Sequence, residues 1–143
     1  MKRRSQFLVL IAVALAGVVF GACGDGNGTA KSEAPVVVEP IEGTDLGRLT
    51  LSASAAERLD IQTATVESAG SGLVVPSAAV IIDPAGVYWV YTNPEPLVFI
   101  RQEIQSVREE GQQAFFVAGP GTGTQVVTIG VPELYGAEFG IGK

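Results

Sequence analysis

Ala79-Val80-Ile81-Ile82-Asp83-Pro84-Ala85-Gly86-Val87-Tyr88-Trp89-Val90-Tyr91 is the stretch whose reading decides the fold. Two apolar runs rich in β-branched and aromatic residues flank a tetrapeptide whose Asp, Pro and Gly occupy favoured positions of a type I turn. That pattern predicts a β-hairpin. In its second arm Val87, Trp89 and Tyr91 share one face, and Tyr88 and Val90 the other. Trp89 is expected to anchor the core; an aromatic ring on a ligand surface is the alternative.

Similar signals extend in both directions. Upstream, Leu73-Val74-Val75-Pro76 joins 79–82 in one strand region, and Ser68-Ala69-Gly70-Ser71-Gly72 is too small and flexible to be more than a connection. Residues 61–66 alternate, with Ile61, Thr63 and Thr65 on one face, and Arg48-Leu49-Thr50-Leu51 alternates before them. Between these two runs, Ser54-Ala55-Ala56-Glu57 reads as a capping box opening a short helix that ends near Leu59. Downstream, Asn93-Pro94-Glu95-Pro96 breaks the hairpin arm, 97–108 reads as a longer strand that includes Phe99 and Arg101, and Glu109-Glu110-Gly111 turns the chain. Residues 114–117 and 125–129 supply further strands around a loop at 119–123, and Pro132 to Tyr135 reads as one helical turn. The expected fold is mainly β: a small β-roll or barrel-like domain of about seven short strands with one short helix, over residues 47–143.

Arg101 and Arg108 fall among Glu103, Glu109 and Glu110, the pattern of a solvated salt-bridge face, with an interaction patch as the alternative. The 18 glycines and eight prolines spread through the chain fit many tight turns rather than long helices. Among 143 residues there is no histidine and one cysteine, so the sequence offers no disulfide framework, no zinc constellation and no histidine-based acid–base pair. No nucleophile is spaced with a base, and no cofactor motif is present, so a non-enzymatic role is expected. Formal net charge is −6; without Lys2, Arg3 and Arg4 the nine basic residues fall to six against 15 acidic ones, a net of −9 that repels nucleic acid.

At the amino end, Lys2-Arg3-Arg4 precedes an uncharged apolar run from Phe7 to Phe20. Positive residues followed by such a run are the grammar of export. As a helix the run spans roughly 21 to 24 Å, short of a hydrocarbon core of about 30 Å, so a signal peptide over 1–22 fits better than a membrane span. Gly24 to about Thr44 is poor in large apolar side chains and is expected to be part of a flexible tether over 23–46, in which Val36-Val37-Val38 adds at most an edge strand because Pro35 and Pro40 flank it.

Two resemblances refine these expectations. Phe20-Gly21-Ala22-Cys23 resembles the lipobox of bacterial lipoproteins, which implies diacylglycerol on the Cys23 thiol, cleavage between Ala22 and Cys23, and a lipid-anchored protein on the extracytoplasmic face of the cell membrane. An uncleaved anchor carrying Cys23 as an apolar sulfur is the alternative. Leu49-Thr50-Leu51-Ser52 with 56–66 is similar to one half of the membrane-proximal domain of HlyD-like periplasmic adaptors, the membrane fusion proteins of RND-type efflux systems. Asp60 stands where that family has glycine. Val75-Pro76-Ser77-Ala78-Ala79-Val80, Gly86 with Trp89-Val90-Tyr91, Phe99 with Arg101 and Ile104, and Gly130 with Leu134 follow the order of the other half.

In the family, lipoyl, hairpin and barrel segments separate the two halves; here only 67–72 does. The resemblance implies a chain reduced to the membrane-proximal domain, acting by protein–protein contact with an efflux permease. A lipid-anchored binding module for a small ligand or cell-wall component, with Trp89 and Tyr91 facing a groove, is the competing expectation. Neither reading sets an oligomeric state.

Overall fold

Asp83 closes the predicted turn. The Gly86 N–H donates to the Asp83 carbonyl at 2.9 Å, and one carboxylate oxygen of Asp83 accepts from the Ala85 and Val87 N–H groups, also at 2.9 Å. Gly86 takes φ +83°, a left-handed conformation that costs glycine little, and the Asp83 N–H bonds back to the Val87 carbonyl at 3.0 Å. The hairpin follows from these contacts, all within five residues.

The computed structural model describes residues 34–141. In chain order the elements are β1 (Val36–Pro40), β2 (Gly47–Leu51), α1 (Ala53–Arg58), β3 (Gln62–Thr65), β4 (Glu67–Ala69) and β5 (Gly72–Pro76). A 3-10 turn at Ser77–Ala79 leads to β6 (Val80–Ile82), β7 (Tyr88–Glu95), β8 (Val98–Ile104), β9 (Arg108–Glu110), β10 (Gln113–Phe116), β11 (Gln125–Ile129) and α2 (Val131–Glu138). The chain is mainly β, as its sequence predicts. The strands form two antiparallel sheets: a seven-stranded one in the order β1-β2-β8-β7-β11-β3, with β6 added alongside β7, and a four-stranded one in the order β4-β5-β10-β9.

Strand alternation sends side chains from the large sheet into two cores. On one face Val90, Ile104 and Val126 meet Val75, Ala114 and Phe116 of the small sheet. On the other, Leu49, Leu51, Tyr91, Phe99 and Val127 meet Ala55 of α1 and Val131 and Leu134 of α2. The large sheet is therefore covered by strands on one side and by helices on the other. This explains why its central strands carry apolar residues at consecutive positions, such as Val90-Tyr91 and Val126-Val127.

Several elements differ from expectation. The described strands number 11 and not about seven, because 36–40, 67–69 and 108–110 pair as short strands and the region 73–82 divides into β5 and β6, and there are two α-helices, not one. The predicted connection at 68–72 is the turn of the β4–β5 hairpin, in which Ala69 pairs with Gly72 across Gly70-Ser71. The long strand expected over 97–108 is split: Ser106, at φ +59°, turns the chain out of β8 and into the second sheet. The predicted helix forms, but its N-cap is Ser52, whose Oγ accepts the Ala55 N–H at 3.2 Å, and Ser54 lies inside the helix. On the stretch expected as tether, β1 pairs with β2 along its whole length as the edge strand, from Val36 opposite Leu51 to Pro40 opposite Gly47. The signal segment, with Ala22 and Cys23, and the remainder of the tether up to residue 33 lie outside the described residues.

Candidate functional site

Register on the helix-covered face of the large sheet sets the site. Tyr91 of β7 pairs with Arg101 of β8, and Trp89 pairs with Glu103, so these four side chains share one face with Phe99. Tyr91 and Phe99 are buried in the helix-side core. Trp89 is a correction: it is half-buried and belongs to neither core. Its indole N–H donates to the second carboxylate oxygen of Asp83 at 3.0 Å, so the turn that forms the hairpin also orients the ring.

Arg101 is the second correction. In place of a solvated face, its side chain is 6 % exposed, and its Nε lies 3.3 Å from a carboxylate oxygen of Glu138, itself 4 % exposed. The guanidinium carbon sits 4.1 Å from the centre of the Trp89 ring and 5.0 Å from that of Phe139, with Tyr135 at 5.8 Å. A guanidinium desolvated against aromatic faces is favoured by about 1–2 kcal/mol through ring electrostatics. Arg108, by contrast, is exposed and paired with Glu110, as the sequence reading has it.

Glu138 ties α2 to the sheet. One of its oxygens accepts the Gly47 N–H at 3.1 Å, and the other accepts the Tyr91 hydroxyl as well as facing Arg101. Gly47 allows this approach: a Cβ there would lie 2.9 Å from Val38 and 3.4 Å from Glu138. Burial, reinforced by the Glu138 carboxylate, raises the Tyr91 pKa well above the ordinary tyrosine value. At the rim, the Val87 N–H and the Trp89 indole N–H, with lesser contributions from the Ala85 N–H and the Arg101 charge, hold the Asp83 carboxyl below the usual carboxylate range against desolvation.

Above this network lies an open groove of about 880 Å³. Trp89 and Arg101 line it together with Leu46, Pro84, Tyr135, Phe139 and Ile141, and Asp45, Asp83 and Glu103 bring carboxylates to it. Phe139 is 50 % and Ile141 69 % exposed, so the helix end forms an apolar wall facing solvent. With both oxygens of Glu138 engaged, its carboxylate anchors the helix to the sheet. What the arrangement offers is surface: aromatic and aliphatic area with acidic groups beside it.

Sequence reading missed Glu138, Tyr135, Phe139 and Asp45. The spacing of Tyr135 and Phe139, four apart on a helix, places them on one side, and their rings lie 4.7 Å apart; that spacing was the available signal once the helix extends past one turn. Among the described residues, no group of three or more acidic or thiol side chains converges as metal ligands do. Compared with known proteins, the chain matches no protein-family model, no curated protein and no solved structure.

Proposed function

We propose that this chain is a non-enzymatic accessory of a membrane efflux transporter, held on the extracytoplasmic face of the cell membrane by lipid on Cys23. It acts as a reduced, adaptor-like domain through protein–protein contact. The observation that carries the contact reading is the groove: an apolar wall at Phe139 and Ile141 stands exposed beside Trp89, on a frame braced by the buried Arg101–Glu138 pair. Export and anchoring are supported by Lys2-Arg3-Arg4, the apolar run and Phe20-Gly21-Ala22-Cys23. The transporter class is supported by the resemblance of residues 49–66 and 75–134 to the two halves of the membrane-proximal adaptor domain.

Affinity purification of the membrane-extracted protein, with a Cys23→Ala form beside it and mass spectrometry as the readout, tests this. An efflux permease recovered with the parent chain and lost or reduced with Cys23→Ala is the expected result. A clearly lipidated protein that recovers no transporter refutes the efflux assignment while leaving the anchor in place.

One observation favours the second reading, a lipid-anchored binding module for a small ligand or cell-wall component: there is a concavity beside Trp89. Only half of that expectation is met, because Tyr91 is fully buried and does not face the groove.

A further inference from the structure

Resting on the protein-contact reading, the geometry points to the chemistry of the partner: a segment of chain that is basic and aliphatic at once, carrying Lys or Arg between apolar neighbours and lying along the Trp89–Phe139 groove. Charge is the first reason. Among the described residues the one cation that lines the groove, Arg101, is answered from beneath by Glu138, and the further charge there at the opening is that of Asp45, Asp83 and Glu103. Among the described residues none of these three carboxylates is in an ion pair; the pairs found are Arg48–Glu95, Arg101–Glu138 and Arg108–Glu110. Acidic groups beside an apolar surface attract a cation and repel an anion.

Shape is the second reason. The guanidinium of Arg101 already fills the space between Trp89 and Phe139, so an incoming cation meets the carboxylates and not a vacant aromatic cage. The outer faces of Phe139 and Ile141 are left for aliphatic groups. Small organic ligands need enclosure that buries most of their surface, whereas this groove is open to solvent and suits a segment of a larger partner. A lysine or arginine with aliphatic neighbours supplies both halves, since its own methylenes also cover apolar area.

Trp89 is the only tryptophan in the chain and lines the groove, so its emission reports occupancy. The full chain in non-ionic detergent is titrated with an amidated peptide of alternating Lys and Leu, and with its Glu-for-Lys counterpart. Expected are a saturable change in Trp89 emission with the Lys peptide alone, and an affinity about fivefold weaker with reduced salt dependence in Asp45→Asn/Glu103→Gln. Both substituted residues are exposed, and unchanged far-UV circular dichroism checks the fold. Equal binding of the two peptides, or an unchanged affinity in the double variant, overturns the inference. Tighter binding of an alkyl-trimethylammonium than of the Lys peptide overturns the partner class in favour of a small-cation site.

Affinity purification with the double variant separates this inference from the efflux reading. A permease recovered equally well with the double variant defeats the groove and leaves the efflux reading standing. A Lys peptide that binds through these carboxylates while no permease is recovered supports the groove chemistry and defeats the efflux reading.

Discussion

Glu138→Ala is expected to be the most damaging single truncation at the site. It takes the counter-ion from Arg101, whose side chain is 6 % exposed, and the acceptor from the Gly47 N–H and the Tyr91 hydroxyl. Removing one partner of a buried ion pair costs about 3–5 kcal/mol. Arg101 borders the groove and keeps its stacking on Trp89, so water can reach the vacated space and the charge term falls at the lower end, about 3 kcal/mol. The two donors left without their acceptor add about 1 kcal/mol after partial rehydration. A loss of about 4 kcal/mol lowers Tm by roughly 20 °C for a domain of about 100 residues.

Urea denaturation followed by Trp89 emission and circular dichroism measures that loss. Glu138→Gln, which keeps an acceptor but loses the charge, is expected between wild type and alanine. Arg101→Met/Glu138→Leu removes both charges, and its cost falls below the sum of the Arg101→Met and Glu138→Leu costs by about 2 kcal/mol. A Glu138→Ala cost below about 1 kcal/mol, or additive single effects in the double variant, refutes the buried network as the tie between α2 and the sheet.

Because the folded Tyr91 pKa is raised above its unfolded value of 10.0, the stability tied to its neutral form is complete below that pH and is lost as pH rises beyond it. The expected slope from this group is near zero below about pH 9 and approaches about 1.4 kcal/mol per pH unit above pH 10, and that steepening is lost in Tyr91→Phe, as read from denaturation midpoints between pH 8 and about 11. Gly119→Ala places a Cβ 2.7 Å from Ile104 and 2.9 Å from the Phe116 ring, both in the core between the sheets, and is expected to cost about 1–3 kcal/mol. Calorimetry checks the cost, and folded-state Trp89 emission stays unchanged because Trp89 lies on the other face of the large sheet.

Legibility tracked the range of the interactions. The turn from Asp83 to Gly86 was readable because its donors and acceptors lie within five residues and each residue type has one local reason to be there. Strand β11 was readable to its ends because its apolar run is bounded by turn residues. The split between β8 and β9 was not, since nothing local in Gln105-Ser106-Val107 announces a change of sheet. Trp89 looked like core because composition favours burial of an aromatic strand residue, whereas its position depends on a carboxylate six residues away and a helix near the carboxyl end. Arg101 looked solvated because its sequence neighbours are acidic, yet the carboxylate it found lies on α2, on the far side of the second sheet's strands in the chain.

By itself the sequence determined that the domain is mainly β, where its principal hairpin turns, and that its net charge is negative. Those properties depend on alternation, turn chemistry and composition, all of which are local or additive. Only the tertiary structure decided which sheet each strand joins, that α2 closes over Tyr91 and Arg101, and that a groove opens beside Trp89. The Tyr91–Glu138 hydrogen bond spans 47 residues and the Gly47–Glu138 bond spans 91. A carboxylate that far along the chain acquires its partners from the packing of the helix onto the sheet, and no window of local sequence contains that information.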